Sequence, residues 1–330
     1  MRLLSSGLQA SFIGAPAMSA AAQLDQYVRV TRAAGDRVRG QVLRLLRDGS
    51  YGVLELCQIL DVAQPALSHH LKLLHGAGLL ARRREGNAIF YRQASVSDPL
   101  RGALLAAADA IDLPASIERR IEAVHAARRQ RSARFFEEHA DEFAASQARI
   151  CEPEVYLPVV LDLLRRHGLG SGRALEIGPG DGQLLSALAA MFDGVTGIDS
   201  AAGMLARSAS AVATLDNVRL ERCDFEALPA RPTYQLVVAA MVLHHIAAPQ
   251  QFFQHAQRLL QPGGMLLVAE LGRHDNEWAR QACGDLWLGF ESDELGGWAS
   301  DAGFSHCDAQ YLAQKNGFDI QIHCYQNPKP

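Results

Sequence analysis

Ala174-Leu-Glu-Ile-Gly-Pro-Gly-Asp-Gly-Gln-Leu-Leu185 is the stretch that most restricts what this chain can fold into. A short apolar strand runs into three alternate glycines, Gly178, Gly180 and Gly182, and a helical pattern from Gln183 to Phe192 begins at once. Strand, glycine turn and helix bring backbone N–H groups close to a ligand at the start of a helix. Glu176 precedes the glycines, and Asp199 closes the next apolar stretch, Gly194 to Asp199. Asp199 falls about 20 residues past Gly180, the spacing at which a carboxylate reaches a ribose diol from the neighbouring strand end. The stretch therefore points to a nucleoside-type ligand.

The repeating pattern continues downstream. Ala202 to Ala211 reads as a helix and Asn217 to Asp224 as a strand. Tyr234 to Leu243 is a nearly unbroken apolar run, as a strand buried on both faces should be. His244-His245, a helix from Pro249 to Leu260, the turn Pro262-Gly-Gly264 and a strand from Met265 to Glu270 complete it. Strands alternating with helices across short turns predict an α/β fold with a doubly wound, mostly parallel sheet. Ligands of such sheets bind at the carboxyl ends of the strands. Glu176, Asp199, Ser200, Asp224, Phe225 and Ala239 all fall there, and Met204 opens the helix beyond.

A chain of 330 residues has room for a second domain. Its charge is uneven. Residues 25–95 carry eleven Arg/Lys against six Asp/Glu, and residues 171–330 carry ten against eighteen. A basic front suits a polyanion. Within it, Leu24 to Arg47 reads as one or two helices, followed by Val53 to Leu60 and then by Gln64-Pro-Ala-Leu-Ser-His-His-Leu-Lys-Leu-Leu74. Leu67, Leu71 and Leu74 share one helical face, leaving Gln64, Ser68, His69, His70 and Lys72 for a groove. Leu79 to Arg84 and Ala88 to Arg92 read as a hairpin around Glu85-Gly-Asn87, with Arg82, Arg83, Arg84 and Arg92 as phosphate-seeking cations. Such an order predicts a winged helix-turn-helix for double-stranded DNA.

These residues, from Leu54-Glu-Leu-Cys-Gln-Ile-Leu60 through the hairpin, resemble the ArsR family of repressors. The resemblance implies a homodimer joined through terminal helices and a palindromic operator. The family's metal sensors place Cys-x-Cys before the recognition helix. Here Cys57 is followed by Ile59, so no metal site is expected. Over about residues 172–271 the chain resembles class I S-adenosylmethionine-dependent methyltransferases. The matching pieces are Glu176-x-Gly178-x-Gly180-x-Gly182, Ile198-Asp199, Cys223-Asp224-Phe225, Val242-Leu-His-His-Ile246 and Leu260-Gln-Pro-Gly-Gly264. That resemblance implies S-adenosylmethionine or S-adenosylhomocysteine as ligand, with Asp199 on the ribose and Asp224 at the adenine. The full layout resembles fusions of the two.

The expected divisions are a flexible tail over 1–23, with Met18 as an alternative start, and a winged helix over 24–95. A helical linker and dimerisation segment over 96–150 and a methyltransferase-like domain over 151–330 follow. No apolar run approaches the ~20 residues that span a bilayer, and six scattered cysteines fit a reduced cytoplasmic protein with no membrane partner. Two functions fit. One is a DNA-binding regulator with the nucleoside ligand as effector; the other is an active methyltransferase, with a small-molecule acceptor, that controls its own expression. For the second, His244 and His245 are the candidate general bases.

Overall fold

The computed structural model describes residues 19–85 and 88–329, excluding the side chains of 140–144. The Gly86-Asn87 turn, Met18 and most of the expected tail lie outside the described residues.

The first helix, α1 (Ala20–Ala34), starts before the expected boundary at residue 24, because the Ser19 hydroxyl caps it by accepting from Ala22 N–H. Gly35 ends it, and the Asp36 carboxylate, accepting from Arg39 N–H, starts α2 (Arg37–Leu45). A two-residue strand, β1 (Tyr51–Gly52), leads into α3 (Val53–Leu60), α4 (Gln64–Gly76) and the hairpin β2 (Leu80–Glu85) and β3 (Ala88–Gln93). These strands pair antiparallel in the order β1-β3-β2. Leu67, Leu71 and Leu74 of α4 are fully buried beneath it, as their spacing predicts.

Next come α5 (Pro99–Asp109), the 34-residue α6 (Ala115–Ala148) and α7 (Pro153–Arg166). The expected linker is in fact part of the first core. Leu105 and Ala108 of α5 and Ile117 and Val124 of α6 join Val42, Leu56 and Leu71 in one cluster. Helix α6 bends where His139 leaves the helical region (φ −125°, ψ 16°). Beyond the winged helix, Phe135 and Phe136 pack instead on the second domain's core. The first core thus extends along α6 as far as Val124, and residues of the same helix from Phe135 onward pack on the second.

The second domain comprises β4 (Arg173–Ile177), α8 (Gln183–Ala189), β5 (Gly194–Asp199), α9 (Ala202–Val212), β6 (Val218–Arg222) and β7 (Tyr234–Ala240). It continues through α10 (Pro249–Leu259), β8 (Leu260–Leu271), α11 (Trp278–Cys283), α12 (Ser292–Asp301), β9 (Ser305–Ala313) and β10 (Asp319–Gln326). Its seven strands lie in the order β6-β5-β4-β7-β8-β10-β9. The first five are parallel, and β10 is antiparallel to both β8 and β9. Two apolar clusters cover the two faces of the sheet. Chain order reverses direction between β4 and β7, which is where an open α/β sheet leaves a crevice.

Candidate functional site

A cavity of about 270 Å³ opens at the carboxyl ends of β4, β5 and β7. Of the residues expected there, Glu176, Gly178, Gly180, Asp199, Ser200, Met204, Asp224 and Phe225 line it. The glycine turn depends on backbone freedom that other residues lack. Gly178 has φ +64°, and a Cβ there would sit 2.6 Å from Val242 Cγ2. Gly180 has φ +56° with open space where a Cβ would point.

Two expected wall residues are elsewhere. Gly182 (φ +83°) begins α8, and a Cβ on it would meet the Ser208 carbonyl oxygen and Ala211 Cβ at 3.0 Å. Its role is close packing of α8 on α9. Ala239 points to the opposite sheet face, because side chains alternate along β7; Ala240 and Met241 form the wall instead.

The acids are held in a dry setting. Glu176 is 2% exposed and its Oε2 has no hydrogen-bond partner. Burial, then the nearby Asp181, pushes its carboxyl well above the usual range. Burial also raises Asp199 to about 6, against the Ala201 and Ser200 backbone N–H groups that favour its charged form. An unpaired buried carboxylate is stabilised by a cation, and Asp199 at the next strand end is an acceptor for hydroxyls. Glycine cradle, orphaned Glu176 and Asp199 together suit a nucleoside carrying a positive charge.

The roof was not expected in this detail. Arg129, Ser132, Phe136 and Gln147 of α6, with Tyr156 and Leu157 of α7, close over the strand ends. Long-range packing of this kind leaves no local spacing in the sequence to mark it. Of the candidate bases, His245 reaches the wall and meets Phe136 edge-on, with ring centroids 4.9 Å apart. His244 does not. It turns beneath the wall, where its Nδ1 lies 2.6 Å from Glu270 Oε1.

On the first domain, Gln64, Ser68, His69 and Lys72 of α4 and Arg82 and Arg84 of β2 are exposed. Gln64, Ser68 and Lys72 repeat at i, i+4, i+8 along one side of the helix. Three other expected DNA contacts face inward. His70 is half-buried, with its Nδ1 3.3 Å from Arg39 Nη1 and 3.7 Å from Asp36. Arg83 is buried: strand alternation turns it away from Arg82 and Arg84, into the second domain. There it pairs with Glu85 and with Glu294 at 3.1 Å, and donates to the Gly289 carbonyl at 2.7 Å. Arg92 pairs with Glu294 at 3.0 Å. Period two in the hairpin was the available clue.

The same seam holds Arg128 of α6. It pairs with Glu55, donates to the Ala247 carbonyl at 2.7 Å and lies over the rings of Tyr51, Phe90 and Trp287.

Comparisons with known proteins agree with this division. Residues 36–82 match the family model of bacterial regulatory proteins of the arsR family, and residues 175–268 match that of a methyltransferase domain. An uncharacterized HTH-type transcriptional regulator of Methanocaldococcus jannaschii is 37% identical over 68 residues, covering 20% of this chain and 76% of that protein. A polyketide synthase–nonribosomal peptide synthetase of Aspergillus flavipes is 29% identical over 158 residues, and the chain spans 44% of its own length but 4% of that protein. The fold of the [4+2]-cyclase SpnF is shared with a TM-score of 0.51 at 15% identity, over 60% of this chain and 95% of that one. The molecule is thus a helix-turn-helix protein joined to a Rossmann-like methyltransferase fold. Its first domain holds an arsR-family helix-turn-helix region and its second a class I methyltransferase domain.

Proposed function

We propose that the protein is an arsR-type transcriptional regulator whose methyltransferase-like domain binds S-adenosylmethionine or S-adenosylhomocysteine as effector. The observation that carries this is helix α6. Ile117 and Val124 belong to the winged-helix core, Arg128 binds Glu55 of that domain, and Arg129, Ser132 and Phe136 roof the cavity. A ligand that repositions the roof acts on the DNA reader through one element. Its effect is bounded by its differential affinity for the two arrangements, typically about 1–3 kcal/mol.

In this reading Glu176 faces the cationic methionine end, Asp199 accepts from the ribose hydroxyls, and Asp224 and Phe225 flank the adenine. S-adenosylmethionine itself supplies a methyl group on a sulfonium. Exposed α4 and Arg82 face operator DNA. The reader works as a homodimer, which the apolar stripe Leu24, Tyr27 and Val28 on α1 (62%, 54% and 37% exposed) supports. Six cysteines, all as free thiols, fit the cytoplasm; among the described residues no helix is long and apolar enough to cross a membrane.

Fluorescence anisotropy on DNA upstream of its own gene tests the proposal. It is run at fixed salt without ligand, with S-adenosylmethionine and with S-adenosylhomocysteine. A several-fold change with either ligand supports the effector role, and equal affinity in all three overturns it. The second reading, methyl transfer to a small molecule, is favoured by His245 on the cavity wall, where a general base would stand. Formation of S-adenosylhomocysteine in the presence of an acceptor is its test.

A further inference from the structure

Where the cavity wall meets the layer beneath it, a second set of polar groups is buried, sharing only His245 with the cavity lining. Asp285 is 3% exposed, and neither of its carboxylate oxygens has a hydrogen-bond partner. It faces two imidazoles. Asp285 Oδ1 stands 3.9 Å from His244 Nε2 and 4.0 Å from His245 Nδ1, beyond hydrogen-bond reach of both. One ligand atom from each of the three residues lies within 4.8 Å of the others.

We infer that His244, His245 and Asp285 form a binding site for a divalent first-row transition ion of the zinc type. Two imidazoles and one carboxylate are the ligand set of open zinc sites and of non-haem iron sites. Calcium and magnesium prefer all-oxygen shells. The surroundings are built for ligation. Glu270 accepts from the backbone N–H groups of His244 and Leu271 and lies 2.6 Å from His244 Nδ1. A carboxylate on one imidazole nitrogen fixes the ring and leaves the other, Nε2, directed at Asp285. With bonds of about 2.1 Å, tetrahedral donors stand roughly 3.4 Å apart. Each histidine–aspartate pair therefore closes by about half an ångström around the ion, the two imidazole nitrogens draw together from within 4.8 Å, and His245 Nδ1 exchanges its 3.4 Å contact with the Gly284 carbonyl for the metal.

The site's position gives it a consequence. Asp285 begins the segment that grips the wing: Leu288 N–H donates to Glu85 Oε2 at 3.1 Å and the Gly289 carbonyl accepts from Arg83. His245 lines the nucleoside cavity. An ion here would pin that segment to the cavity wall, between the ligand and the DNA reader.

The test titrates chelator-treated full-length protein with Co(II) and follows its visible spectrum. The expected result is one Co(II) per chain in a low-symmetry nitrogen–oxygen site, without thiolate charge-transfer bands, displaced by Zn(II). Asp285→Asn, which keeps the side-chain shape, should weaken binding at least about 100-fold, and Glu270→Gln about 10–100-fold. Circular dichroism checks that each variant is folded. Undiminished Co(II) affinity in folded Asp285→Asn overturns the inference, as do thiolate bands or the absence of bound Co(II) in the parent protein.

Discussion

Asp199 carries the sharpest consequence of the site's dryness. In the proposed complex the ribose hydroxyls donate to the charged Asp199 carboxylate, and replacing it with alanine removes those hydrogen bonds, each worth about 1.5–3 kcal/mol. Asp199→Ala should therefore weaken nucleoside binding by at least about tenfold, measured by calorimetry, while DNA affinity of the empty protein is unchanged. The same residue sets a pH dependence. Its pKa of about 6 in the folded protein lies above the ordinary 3.8, so below pH 6 binding must first remove a proton. Affinity should fall as pH drops through 6 and level off above 7. Burial raises the Glu176 carboxyl, and a cationic ligand beside it opposes that rise. Binding should thus release protons over the pH range in which Glu176 titrates, seen as heat that varies with the buffer's ionisation enthalpy. Both acids were legible in sequence because each ends a strand whose partner strand is predictable. Gly182 and Ala239 fall outside the cavity lining, since Gly182 lets α8 pack closely on α9 and alternation along β7 turns Ala239 to the other sheet face.

At the scale of elements, the hairpin β2–β3 separates two functions within three consecutive arginines. Arg82 is exposed and Arg83 is buried against Glu85 and Glu294. Arg82→Ala should leave stability within about 0.5 kcal/mol and reduce the salt slope of DNA binding by about one unit. Arg83→Ala leaves two carboxylates with one fewer partner inside the seam and should cost about 3 kcal/mol, read by denaturant unfolding. A common loss of DNA affinity without loss of stability would instead place Arg83 on the nucleic acid. Recognition helix α4 was legible from its leucine spacing and early proline. The seam was not, since Glu294 lies more than two hundred residues from Arg83 and nothing in the local pattern marks it.

Across the whole molecule, α6 joins two cores that sequence reading had separated by a linker. If it transmits the ligand's effect, Phe136→Ala should reduce the change in DNA affinity caused by the ligand more than it reduces affinity for the ligand itself. Paired anisotropy and calorimetry titrations give the two numbers. An unchanged ligand effect would exclude the roof as the connection. Sequence by itself determined the two architectures, the helices and hairpin of the winged helix, the alternation of strands and helices from β4 to β8, and the acids at the strand ends. Those follow from short-range periodicity, glycine turns and caps, which act within a few residues. Only the tertiary structure decided which arginines meet solvent, what roofs the cavity, and that His244, His245 and Asp285 converge. Each of these depends on surfaces brought together by burial of apolar faces far apart in the chain.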